Sequence, residues 1–134
     1  MRGVEDGTID IIVSDHDPQS AGGKRLPYAE ATNGAVGLEL MLPVGLKLAA
    51  DDEIDLMAYL RAVTVAPAEL LGLKGGRLAV GAAADIVVFS ETEPWVLDSE
   101  QLLSRSKNTP FDDRRMTGRV LYTLKNGRVV YSAR

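Results

Sequence analysis

The sequence predicts an α/β fold in which one buried strand leads into closely spaced helices and then into a small all-β segment. Three observations carry this. Ile9-Asp10-Ile11-Ile12-Val13 is an apolar, largely β-branched run that stops abruptly at the ionisable residues Asp15, His16 and Asp17. Residues 35–63 are apolar on broad helical faces. After Lys74-Gly75-Gly76 the period shifts from helical to extended, which divides the chain into residues 1–74 and 75–134.

Taken in order, residues 1–8 are a polar lead-in and the strand follows at 8–14, bounded by Gly7 and Pro18. A strand buried on both faces is typical of a parallel sheet. Asp15 and His16 would then stand at its C-terminal end, where catalytic residues gather in a barrel of parallel strands. The same residues also fit a strand followed by an Asx-type turn, with Asp15 and Asp17 as local turn formers. Residues 17–32 hold two prolines and two glycines and read as a long loop over that strand end.

The run from Ala35 to Leu48 predicts a buried helix, with Pro43 kinking it or resetting its start. Asp51 or Asp52 offers the N-cap of a second helix over 53–63. A third, short helix starts at Pro67 and ends at Gly72. Helices this apolar predict exposed apolar surface over 35–63. Beyond the boundary, 77–80 and 85–89 read as strands, 95–97 as an extended piece and 99–104 as a short helix. Residues 119–124 and 128–131 flank Lys125-Asn126-Gly127, the strongest short hairpin signal in the chain.

The 134 residues are 46% hydrophobic and 25% charged, a composition of globular rather than disordered chains. A net charge of -4, with no Lys/Arg run, argues against a nucleic-acid partner. No apolar stretch reaches bilayer-spanning length, and Met1-Arg2-Gly3 leads into acidic residues rather than a signal-peptide core. Without cysteine there is neither a disulfide framework nor a thiolate metal site, and a cytoplasmic setting fits.

With His16 the only histidine, a self-contained zinc site would need it together with carboxylates. On a strand, Asp15 and His16 would point to opposite sides and could not share one metal without irregular backbone. The alternative for His16 is a hydrogen-bonded histidine supporting its neighbours. Ser14, Asp15 and His16 cannot form a triad, because adjacent residues do not line up in series. Gly22-Gly23 and Gly75-Gly76 lack any phosphate- or dinucleotide-binding pattern and read as turns. Asp15 under its covering loop is the candidate that remains.

Ser14-Asp15-His16-Asp17-Pro18-Gln19, followed by Asn33-Gly34-Ala35-Val36-Gly37-Leu38-Glu39, resembles the last barrel strand, loop and helix of bacterial class I dihydroorotases. The likeness continues, in order, through 67–73, 81–89, Ser106-Lys107-Asn108-Thr109-Pro110-Phe111 and Thr117-Gly118-Arg119-Val120. It implies the C-terminal portion of an amidohydrolase: the end of a (β/α)8 TIM barrel over 1–74, then part of a small β-sandwich over 75–134. It implies zinc-dependent, reversible hydrolysis of dihydroorotate to N-carbamoyl-L-aspartate in pyrimidine biosynthesis.

By the same resemblance Asp15 is a metal ligand and proton shuttle, and Gln19, Asn33 and Gly34 contact substrate. Such a barrel takes roughly 250 residues, and the family's remaining ligands to its dinuclear zinc have no counterpart here. These residues alone are therefore expected to be inactive. Active relatives usually carry histidine at the position of Gln19, whose amide can donate a hydrogen bond but never carries a charge. Two alternatives follow: a non-catalytic, dihydroorotase-like subunit supporting aspartate transcarbamoylase, or a hydantoinase-like enzyme. A homo-oligomer is expected in either case.

Overall fold

The computed structural model describes residues 2–133. Five helices precede a three-stranded sheet: α1 Arg2–Glu5, α2 Ala21–Lys24, α3 Met41–Ala50, α4 Leu56–Val63 and α5 Val65–Leu70. The strands are β1 Ile86–Val96, β2 Arg115–Lys125 and β3 Arg128–Ser132, antiparallel in the order β1-β2-β3.

The strand expected over 8–14 does not form. The segment runs without ladder partners; its backbone contacts are single ones, Ile9 N–H to the Gly3 carbonyl and Ile12 N–H to the Ala62 carbonyl, and just beyond it a lone parallel bridge joins His16 to Ala35. Ile9 is 50% and Val13 70% exposed. An apolar run becomes a buried strand only beside neighbours that take its hydrogen bonds and cover its faces, and no described residue supplies one. The strand expected over 77–80 is absent for the same reason, and Val80 stands fully in solvent.

Pro43 sets where α3 begins. A 3-10 turn, Leu38–Leu40, precedes the helix and places Pro43 in the first helical turn, where its missing N–H leaves no bond unmade. Asp55, rather than Asp51 or Asp52, caps α4: its carboxylate accepts from Ala58 N–H at 2.8 Å. Asp52 instead takes the left-handed φ of 55° that turns the chain out of α3. The third helix starts two residues before Pro67.

In the sheet, 85–89 and 95–97 belong to one strand. Ser90 Oγ accepts from the N–H groups of Thr92 and Glu93, and the bulge so held lets β1 resume against β2 at Pro94. The Asn126-Gly127 hairpin forms as expected, with Lys125 opposite Arg128 and φ of 49° and 76° at the two turn residues. The expected 99–104 helix is a 3-10 turn, Ser99–Gln101.

The core lies between α3 and the sheet. Val36, Leu40, Leu97, Leu102 and Met116 are buried together, with Val44, Trp95 and Phe111 packed against them. Burying such side chains contributes about 1.5–3 kcal/mol each. Over 35–63, Leu38 and Met57 are exposed while Pro43, Gly45 and Leu46 of α3 are buried; further exposed apolar side chains lie at 9–13, at 70–80 and along β3.

Candidate functional site

Two loops meet where the sequence places its candidates. The first runs from Ser14 to Gln19 and the second from Asn33 to Gly37. Asp17 N–H donates to the Ala35 carbonyl at 3.0 Å, fastening them side by side. The approach is close enough to demand glycine. A Cβ on Gly37 would sit 2.0 Å from the Ser14 carbonyl oxygen, and one on Gly34 would sit 2.2 Å from that of Asp17. Gly34 also holds a φ of 107°, which L side chains rarely adopt.

Beneath the junction is an open cleft of about 470 Å³, lined by Asp15, Gly34, Val36, Met41, Tyr59 and Phe111 among others. Asp15 is exposed and is the only charged residue in this lining. Its backbone φ of 43° is left-handed, a conformation that aspartate tolerates better than most residues and that concentrates at functional sites. Tyr59 forms part of the wall and donates from its hydroxyl to the Met41 carbonyl at 2.6 Å. Burial pushes the Tyr59 phenol above its ordinary pKa.

The fold thus brings Asp15 and Gly34 to one cleft. Gln19 and Asn33 lie outside its lining. Gln19 is occupied locally: its N–H donates to Asn108 Oδ1 at 2.7 Å, and its side-chain amide donates to the Asp17 carbonyl at 3.1 Å. Asn33 is exposed.

His16 is a hydrogen-bonded, half-buried side chain. Its Nδ1 accepts from Gly37 N–H at 3.1 Å and Leu38 N–H at 3.2 Å, satisfying donors at the start of the 3-10 turn. With Nδ1 an acceptor, the neutral ring carries its proton on Nε2. Nδ1 is thereby committed to these two backbone donors rather than free for a metal.

Asn108 is the residue that pattern reading left without a role. It sits within a quoted motif, yet nothing local marks it, because its partners are 74 and 89 residues away.

Zinc sites draw on three or four protein ligands. Asp15 offers one carboxylate, and among the described residues no group of three or more His, Cys, Asp or Glu side chains could hold an ion. The residues present do not by themselves fit a metal centre.

A profile of the Amidohydrolase family matches residues 2–130. The chain belongs to the amidohydrolase family. It is 42% identical to a dihydroorotase of Geotalea daltonii across 96% of its own length and 30% of that protein's. With a dihydroorotase of Anaplasma phagocytophilum the identity is also 42%, over 99% of this chain and 30% of the other. Among solved structures, the L-hydantoinase (dihydropyrimidinase) of Arthrobacter aurescens superposes with a TM-score of 0.90 at 31% identity, covering 97% of this chain and 30% of that one. This amidohydrolase chain therefore spans about 30% of the length of the curated relatives it matches. No described helix is long and apolar enough to cross a membrane.

Proposed function

We propose that the chain contributes its cleft to a metal-dependent cyclic amidohydrolase of dihydroorotase type, acting on dihydroorotate and N-carbamoyl-L-aspartate in the cytoplasm. The observation that carries this reading is that the matched span, 2–130, contains both Asp15 and Gly34, which the fold brings to one cleft. In this reading residues 1–74 complete a barrel and 75–134 part of a β-sandwich. In this reading the other zinc ligands are supplied from outside these 134 residues. The 134 residues by themselves are inactive.

In this reading Asp15, the one carboxylate in the cleft lining, joins a ligand set and takes or returns a proton, the task such a group performs in general acid–base catalysis. In such an enzyme a metal held with the help of Asp15 would supply an activated water. Gly34 offers backbone polar groups beside that carboxylate, and Asn33 and Gln19 flank them as substrate contacts.

A second reading rests on Gln19. Its side chain turns back to the Asp17 carbonyl rather than into the cleft, and it has no charge to offer a substrate carboxylate. That arrangement suits a non-catalytic dihydroorotase-like subunit of an oligomer, with aspartate transcarbamoylase as its partner.

A chimera separates these readings. The matching 30% of the Geotalea daltonii dihydroorotase is replaced by this chain, and ring opening of dihydroorotate is assayed with zinc present. The enzyme reading expects a folded, active chimera that loses about a hundredfold or more in kcat on Asp15→Asn. A folded chimera without activity favours the subunit reading. Turnover of hydantoin or dihydrouracil in preference to dihydroorotate transfers the assignment to a hydantoinase-like enzyme.

A further inference from the structure

Asn108 lies on the long connection after β1, yet its side-chain amide and its carbonyl are all spent on the two loops of the candidate site. Its Oδ1 accepts from Gln19 N–H at 2.7 Å, and its Nδ2 donates to the Gly34 carbonyl at 2.9 Å. Its own carbonyl accepts from Val36 N–H at 2.9 Å. One side chain thus joins the loop of Gln19 to the loop of Gly34, and its backbone holds the residue two beyond Gly34.

Asparagine is the side chain this bridge requires. It presents an acceptor and a donor at a fixed spacing on a short stem, and both are used. Aspartate would keep the acceptor but turn its second oxygen on the Gly34 carbonyl. Glutamine would carry the fork one carbon too far. The surrounding strand of chain is itself anchored: Glu39 accepts from the N–H groups of Leu103 and Ser104 at 3.0 and 3.1 Å through its two carboxylate oxygens. Lys107 donates to the Leu102 carbonyl. Asp113 N–H and the Arg114 carbonyl bond to Leu97, the most buried residue of the core. The connection that carries the clip is therefore anchored at Leu97 and Glu39 as well as at the loops it joins.

We propose that Asn108 is a positioning residue of the candidate site, setting the separation of the Gln19 and Gly34 loops and with it the width of the substrate cleft. This rests on the proposed function for its consequence in catalysis, but not for the clip itself. Losing the bridge leaves a backbone donor and a backbone acceptor unmatched beside the cleft, a loss that corresponds to roughly a tenfold effect where it is felt in binding.

Two measurements test it. Amide hydrogen exchange on the 134-residue chain compares the native protein with Asn108→Ala and Asn108→Asp. The alanine variant should lose protection at Gln19 while the hairpin amides of β2 and β3 keep theirs; the aspartate variant should retain protection at Gln19. Unchanged exchange at Gln19 in the alanine variant overturns the clip, and so does an equal loss throughout the sheet, which marks general destabilisation. In the active chimera, both variants should raise KM about tenfold with kcat changed much less. A fall in kcat at constant KM points to a smaller folded fraction and overturns the positioning role. If the unsubstituted chimera is inactive, the proposed function fails, and the exchange result alone decides whether Asn108 is the clip.

Discussion

Gly45 of α3 lies flat against the ring of Tyr59 of α4: a Cβ at Gly45 would stand 2.0 Å from Cε1 of that tyrosine. The contact brings the Tyr59 hydroxyl to the Met41 carbonyl at 2.6 Å, one helical turn before the glycine. The helix pair is thus fixed at one side by the absence of a side chain and at the other by a hydrogen bond. Tyr59 is 3% exposed, so the ring has nowhere to retreat. Gly45→Ala should destabilise the chain by about 1–3 kcal/mol through overpacking. Tyr59→Phe keeps the ring and loses only the hydroxyl bond, for about 1 kcal/mol. Urea unfolding followed by circular dichroism measures both, and an alanine variant as stable as the native chain would remove the close contact from the account.

The same tyrosine sets an alkaline limit. Burial raises the Tyr59 phenol above its ordinary pKa, so the folded state keeps this proton over a range in which the unfolded chain has lost it. Stability from this group is complete below the unfolded value near pH 10 and is lost as pH rises toward the folded one. Tyr59→Phe should flatten the alkaline limb of a stability-against-pH curve while leaving the neutral region displaced by a constant amount. An alkaline limb of unchanged slope would assign that limb to other groups.

Much of this helical pair was legible in the sequence, and the reasons for the exceptions are physical. Pro43 announces a helix start because its chemistry is local. Asn126-Gly127 announces a hairpin for the same reason: two adjacent residues tolerate positive φ. The cap of α4 is not legible in the sequence because Asp51, Asp52 and Asp55 are equal as capping side chains. What selects among them is where the chain emerges from the turn, and Asp52 is spent at φ 55° making it. The 9–13 run misleads in another way. Its composition describes a strand among strands, and a strand is a property of its neighbours as much as of itself. At the site, Asp15 and Gly34 stand on motifs short enough to read. Asn108 acts through partners 74 and 89 residues distant, and no local period reports that.

Gly34 offers a test of how tightly the two site loops are matched. Alanine there meets both the φ of 107° and the Asp17 carbonyl, 2.2 Å from the added Cβ. The backbone strain alone costs on the order of 1–3 kcal/mol. The loop must move to relieve the clash, and Asn108 then loses the Gly34 carbonyl. Gly34→Ala should therefore lower thermal stability and speed amide exchange at Asp17, whose N–H donates to Ala35 in the same junction. Gly7→Ala serves as the control, since its φ of 77° is also positive but no atom lies within 4 Å of the added Cβ. Equal effects at the two positions would show that backbone conformation, not the loop contact, governs Gly34.

The hairpin turn carries an acid-sensitive support. Asp85, just before β1, accepts from Asn126 N–H at 2.8 Å and pairs with the Lys125 ammonium across the turn. The Lys125 hydrogen bond, then that of Asn126, holds its carboxyl below the ordinary carboxylate range. A carboxyl with a lowered folded pKa contributes stability above the unfolded value, near pH 4, and loses it as pH falls through the folded one. The pair is solvent-exposed, so the effect should be confined to the turn and weaken as salt is added. Acidification below about pH 4 should speed exchange at Asn126, after correction for the intrinsic pH dependence, while the core amide of Met116 holds its protection. Asp85→Asn should show the fast exchange already at neutral pH and little further change on acidification. Asn126 exchange that ignores both the substitution and the pH would leave the turn resting on Asn126-Gly127 alone.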